Sequence, residues 1–149
     1  MRTSFRNMTA ANRALVTCAF AAMSWLSAAP AGAQTSGPSE HAGLSVEMLA
    51  ELPAATMEAT IGLPGYVMRM RAIEIAPGGQ IAEHGHADRP GIVTVIEGAW
   101  VEGQPDGEQT FEAAALGTFP EKEDTVHWVY NRSDAPAMAL VCDIAKAEE

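Results

Sequence analysis

Pro77-Gly78-Gly79-Gln80-Ile81-Ala82-Glu83-His84-Gly85-His86-Ala87-Asp88-Arg89-Pro90-Gly91-Ile92-Val93-Thr94-Val95-Ile96-Glu97-Gly98 is the stretch on which the reading of this chain turns. It sets two imidazoles one residue apart, with a glycine-rich turn before them and an apolar, β-branched run after them. Side chains alternate across a strand, so His84 and His86 are expected to emerge from one face. Two neutral imidazoles on one rigid face make half of a first-row metal site. A third, His127, lies in a second apolar run, Thr125-Val126-His127-Trp128-Val129-Tyr130-Asn131. A sheet that lays the second run beside the first would bring three ring nitrogens together.

Upstream, residues 1–33 read as an export signal peptide rather than as part of the fold. Arg2, Arg6 and Arg13 form a basic start, with no acid before Glu40. Residues 14–26 are a short apolar core, and Ala31-Gly32-Ala33 offers small residues for cleavage before Gln34. That core is too short for a permanent membrane helix, and no basic stop signal follows it. Thr17 before Cys18 fits a lipoprotein signal poorly. The expected product is periplasmic or secreted, with no membrane attachment after cleavage. Residues 34–43, small, polar and proline-containing, are expected to be a flexible leader, and His41 within them is left out of the site. Residues 44–149 are expected to form one domain.

The mature chain of 116 residues is long enough to bury a core, roughly 65% of its unfolded surface. Loss of three arginines with the signal peptide leaves six basic residues against nineteen acidic ones, a formal charge of −13. Such a surface repels phosphate backbones and anionic bilayers, so neither nucleic acid nor membrane is expected as a partner. Cys18 leaves with the signal peptide. Cys142, between Leu140, Val141 and Ile144, then has no partner in the chain and is expected as a buried, inert thiol.

Along the domain, residues 44–50 read as a first strand or a helical turn, ended by Pro53. After the turn at Gly62-Leu63-Pro64-Gly65, residues 66–75 alternate polar and apolar and are expected as a strand, broken by Pro77-Gly78-Gly79. The Met68/Met70 pair within it suits packing better than a thioether metal site. Residues 92–96 form the next strand, turned at Glu97-Gly98 into 99–102. Asp106-Gly107 closes a hairpin onto 109–112. Residues 116–120, 126–130 and 138–144 complete the set. Short strands at regular spacing, with turn signals between them, indicate an all-β sandwich or barrel.

Gly78, five residues, His84-Gly85-His86, and then Gly98 at the end of the following strand resemble the first motif of the cupin superfamily. Gly117, followed by His127, three residues and Asn131, resembles the second. The resemblance spans residues 66–145. It implies a double-stranded β-helix (jelly-roll) barrel with the motif histidines turned inward onto a divalent metal. His84, His86 and His127 are then the ligands and Asn131 a structural turn residue. The resemblance also implies a homodimer, since related barrels pair through strand exchange.

Two departures stand out. The glutamate ligand usual in the first motif falls at Gly91, and Lys122-Glu123-Asp124 replaces a Pro-x-Gly turn ahead of His127. Without that carboxylate the expected site is three neutral imidazoles, similar to the sites of thiol dioxygenases and to His₃ zinc sites, where bound water has a pKa near ~7. Glu83 falls on the opposite face from His84, and Glu97 lies in a solvated turn. Asp88 shares parity with His86 and is the one candidate for an outer-shell role, set against a plain turn role beside Arg89. Trp128 and Tyr130 face away from His127. Imidazole donors suit Zn, Fe, Cu and Ni, Mn being the remaining candidate, and affinity alone favours Cu or Zn. The functional expectation is an exported cupin binding one divalent metal and a small molecule, with dioxygenase-like chemistry if it is an enzyme. The alternatives are a non-catalytic metal- or ligand-binding envelope protein and a barrel that serves only as an interaction domain.

Overall fold

The computed structural model describes residues 35–148. The signal peptide expected over 1–33 lies outside the described residues. The described chain runs β1 (Ala42–Leu52), α1 (Ala54–Ile61), β2 (Tyr66–Gly85), β3 (Gly91–Glu97), β4 (Ala99–Gln104), β5 (Gly107–Glu112), a 3-10 turn (Ala113–Ala115), β6 (Thr118–Glu121), β7 (Val126–Tyr130) and β8 (Ala137–Lys146). The strands follow the order β5-β4-β7-β2-β8-β3-β6, with β1 paired to β2 off that path. Every pairing is antiparallel. The sheet curls into a nearly closed barrel, the expected all-β jelly roll.

β2 is one strand where a break is expected. Its first half, from Tyr66 to Ile75, pairs with β8, and its second half, from Gln80 to Gly85, pairs with β7. Pro77-Gly78-Gly79 bends the strand without ending it: Gly78 adopts φ +68°, which a side chain would resist. Asn131, at the end of the neighbouring strand β7, clamps the bend. Its buried amide donates to the carbonyls of Ile75 (2.9 Å), Ala76 (3.2 Å) and Ala135 (2.8 Å), and its oxygen accepts from the backbone and hydroxyl of Ser133. One side chain thereby satisfies buried carbonyls that the bend removes from the ladder. The Lys122-Glu123-Asp124 departure is a tight turn, closed by Thr125 N–H on Lys122 O at 3.0 Å.

The inward faces of β2, β3, β7 and β8 alternate with outward ones, so Ile73, Ile75, Val93, Val95, Val129 and Val141 make the core together with Trp100 and Phe119. The same alternation turns Cys142 outward. It is half-buried beside Met70 and Ile92, not sealed in the core as expected. Trp128 also faces outward, and is buried under Gly37 and against Gly103, where any side chain would overlap its indole.

Helix α1 has only Met57 buried, and it ends on Gly62 at φ +69° with two backbone bonds back to Met57 and Glu58.

Candidate metal centre

The histidines are aimed by a β-bulge. Ile81 pairs with Val129 and His84 with His127, so β2 spends three residues where β7 spends two. The extra residue shifts the side-chain parity, so that Ile81 and His84 both point inward. A bulge leaves backbone groups without ladder partners, and here three of them find other partners. Ala82 N–H donates to His41 Nδ1 at 3.0 Å, Ala82 O accepts from His84 Nδ1 at 2.8 Å, and Glu83 N–H donates to Pro38 O at 2.9 Å. Gly37 N–H in turn donates to the Glu83 carboxylate at 2.6 Å. Where a loose leader is expected over 34–43, Gly37, Pro38 and His41 are tied to the bulge and β1 begins at Ala42.

All three site histidines spend Nδ1 on an acceptor. His84 donates to Ala82 O, His86 to Arg89 O at 3.0 Å, and His127 to the buried Glu102 carboxylate at 2.7 Å. Carbonyl and carboxylate oxygens only accept, so each proton sits on Nδ1 and each Nε2 carries a lone pair. Those lone pairs face one another: His127 Nε2 is 3.1 Å from His86 Nε2 and 3.2 Å from His84 Nε2. Burial holds His84 and His86 neutral. It lowers His84 to about 4, against the Ala82 carbonyl, which pulls the other way, and it lowers His86 as well.

Glu121 is a fourth donor. One carboxylate oxygen lies 3.6 Å from His127 Nε2, and the donor atoms of His84, His86, His127 and Glu121 all fall within 4.8 Å of one another. The other oxygen is buried with no hydrogen-bond partner, 3.3 Å from His86 Nδ1, whose proton points to Arg89 O. Burial raises the Glu121 carboxyl above its usual value. This corrects the expectation of a carboxylate-free site. Gly91 pairs directly with Glu121 across β3 and β6, and a Cβ on Gly91 would come within 2.6 Å of the Glu121 carboxylate. The space left empty by glycine on one strand is filled by glutamate from its neighbour.

Asp88 stands apart from the cluster. Its carboxylate is exposed and meets Lys146 Nζ at 3.5 Å, while Arg89 turns toward Asp143; the outer-shell role considered for Asp88 does not match its position. Glu102, which orients His127, takes the place Asp88 was considered for. A cavity of about 240 Å³ opens beside the donors, walled by His84, His127 and Glu121 at one part and by Arg71, Arg89 and Trp100 elsewhere. His41, left out of the site at first, lines it too.

Solved structures share this architecture. The Cupin_2 domain of an XRE family transcriptional regulator from Enterobacter cloacae aligns at a TM-score of 0.52 and 19% identity, over 72% of this chain and all of that one (100%). KdgF from Halomonas sp. aligns at 0.53 and 13% identity, over 72% of this chain and 82% of that one. The chain has the cupin fold. An oxalate oxidase in complex with the substrate analogue glycolate aligns at a TM-score of 0.49 and 24% identity, over 70% of this chain and 55% of that one, so the chain spans little more than half of that protein's length. No protein-family model matches the chain, and no curated protein does. In this cupin barrel Glu121 and Glu102 are the residues that sequence reasoning missed. The available signal was Glu121's parity with the apolar Phe119, which places both on the inward face of one short strand.

Proposed function

We propose that the protein holds one divalent first-row metal ion through Nε2 of His84, His86 and His127 and a carboxylate oxygen of Glu121, and uses it on a small molecule in the adjoining cavity. The supporting observation is the set of three unprotonated Nε2 atoms turned on one another beside a buried carboxylate with an unpaired oxygen. One cation satisfies them all. Nitrogens bound at ~2.0–2.1 Å to a common ion lie roughly 3.0–3.4 Å apart, which is the spacing of His127 from His84 and from His86. Three imidazoles with one carboxylate suit manganese, iron, nickel, copper or zinc. When bound, such an ion supplies a Lewis-acidic and, for a redox metal, an electron-transferring centre.

The protein's own groups do the rest. Glu102 fixes the His127 tautomer, Glu121 balances one unit of charge, and Leu44, Ile73 and Ile81 give the cavity an aliphatic wall. Besides the donors, His41 is the only imidazole or carboxylate lining the cavity among the described residues, and its Nδ1 is engaged by Ala82. That poverty of bases favours a dioxygenase-like oxidation over an isomerisation that shuttles protons. The test loads the purified protein with each ion, offers thiols, flavonols and 1,3-diketones, and follows oxygen uptake. Uptake with one ion supports the reading; stoichiometric binding without uptake for any ion favours a non-catalytic binding protein. Export belongs to the same proposal, on the strength of residues 1–33. A mature N-terminus at Gln34 in the extracytoplasmic fraction supports it, and an intact Met1 in the cytosol contradicts it.

A further inference from the structure

Residues 37–42 lie across the bulged part of β2 and grip it at three positions. Ala42 pairs with Gln80, whose side-chain amide donates to Glu40 O at 3.0 Å. His41 Nδ1 accepts from Ala82 N–H at 3.0 Å. Pro38 O accepts from Glu83 N–H, and Gly37 N–H donates to the Glu83 carboxylate. Between Ile81 and His84 the register with β7 slips, so Ala82 and Glu83 have no ladder partner in that strand. The N-terminal strap stands in for it. At its far end Gly37 covers the buried Trp128 so closely that a Cβ would come within 2.5 Å of the indole. Ala82 is thereby held from both sides, since its carbonyl accepts the Nδ1 proton of His84 at 2.8 Å. A backbone N–H only donates, so His41 Nδ1 is bare where His84 Nδ1 is protonated. The chain from His41 through Ala82 ends on the hydrogen bond that leaves His84 Nε2 unprotonated, 3.2 Å from His127 Nε2.

We propose that His41 is a positioning residue for the donor His84, acting through Ala82, and that the strap carrying it is a latch whose docking and ion binding reinforce each other. Without an acceptor for its N–H, Ala82 is free to turn, and its carbonyl no longer selects one tautomer of His84. The ring then spends part of its time with the proton on Nε2, where an ion needs a lone pair. Coupling of this kind is reciprocal: a docked strap tightens the ion, and a bound ion holds the strap down by the same factor. The strap is suited to moving by itself. Gly37 and Pro38 are half-buried, Ser39, Glu40 and His41 are exposed, and polar bonds rather than an apolar face tie them to β2, so they come away without opening the barrel. The latch rests on the metal reading; the fixing of the His84 ring concerns the metal-free protein and does not.

The test compares His41→Ala, which removes the acceptor, with His41→Asn, whose side-chain oxygen restores one near the place of Nδ1. Zinc titration is expected to show affinity about tenfold weaker in His41→Ala and close to the original in His41→Asn. In metal-free protein the ring nitrogens of His84, followed by NMR, are expected in the single Nδ1–H form for the unaltered chain and His41→Asn, and averaged between two tautomers for His41→Ala. Gly37→Val, which lifts the strap off Trp128 and touches no donor, should behave as His41→Ala does. In the unaltered protein zinc should slow amide exchange at Ala82 and Glu83 by a factor similar to the affinity lost in His41→Ala. That last measurement needs no variant, so misfolding of one cannot shelter the proposal. Zinc affinity unchanged in His41→Ala, a loss that His41→Asn does not restore, or amide exchange indifferent to zinc overturns it. The two readings fail separately. Protein that takes up no zinc, yet whose His84 loses its single tautomer in His41→Ala, removes the metal proposal and the latch with it while the positioning role stands; full zinc content with ring and affinity unaltered in His41→Ala removes the strap proposal alone.

Discussion

Glu121 sits buried opposite Gly91 with one oxygen unpaired, and burial holds its carboxyl above the usual range. A group whose folded value is raised contributes stability while protonated and loses it as pH rises through that value, so ionisation of Glu121 works against the metal-free fold. Glu121→Gln is therefore expected to leave the metal-free protein as stable or more so at pH 7, while weakening metal affinity by about 10–100-fold or more. Denaturant midpoints and ion titrations check the two halves. Gly91→Glu alone overpacks the same space and should lose roughly 1–3 kcal/mol. Combining it with Glu121→Gly moves the carboxylate to the neighbouring strand and should recover metal binding. His84 gives the opposite pH dependence. Its folded value of about 4 lies below the unfolded one, near ~6.5. The unfolded chain then binds more protons between those values, so the metal-free protein should lose stability as pH falls from about 6.5 toward 4. In the Glu121→Gln background, which removes the opposing carboxyl, a flat denaturation midpoint across that window would contradict a buried, neutral ring. The histidines were legible because H-x-H and a strand-borne His127 are local patterns. Glu121 was not, because its relevance depends on which strand lies beside β3.

At the scale of the element, the bulge in β2 does what alternation alone cannot. It lets a core residue, Ile81, and a donor, His84, share one face three positions apart. The sequence announces the turns around it but not the extra residue, since a bulge is a property of the pairing and not of one strand. The same limit explains β2 as a whole. Pro77-Gly78-Gly79 carries the signature of a break, yet Asn131 from β7's end supplies the hydrogen bonds that keep the chain extended through it. Asn131→Ala is expected to cost about 2–3 kcal/mol, by leaving buried carbonyls of Ile75, Ala76 and Ala135 unpaired, read as a lowered denaturation midpoint. Strands β3, β4, β5, β7 and β8 follow the β-branched runs and the Asp106-Gly107 hairpin closely. Helix α1 left little trace, because only Met57 is buried and no periodic apolar face forms.

For the whole molecule, the barrel gathers donors from β2, from His86 just beyond its end, from β6 and from β7, with the Glu102 partner from β4, around one point. No single element holds the site, so an ion bound there would favour the closed barrel over any partly opened form. Mass action sets the size of that effect: at a free ion concentration ~100 times Kd the fold gains about 2.7 kcal/mol, which for a domain of this length raises Tm by roughly 5–15 °C. Elemental analysis of the purified protein beside a His86→Ala/His127→Ala variant measures the central claim directly. The account predicts one first-row divalent ion per chain in the first and none in the second, with the barrel still folded. A wild-type protein that holds no ion when loaded, or a variant that keeps its full content, would contradict it.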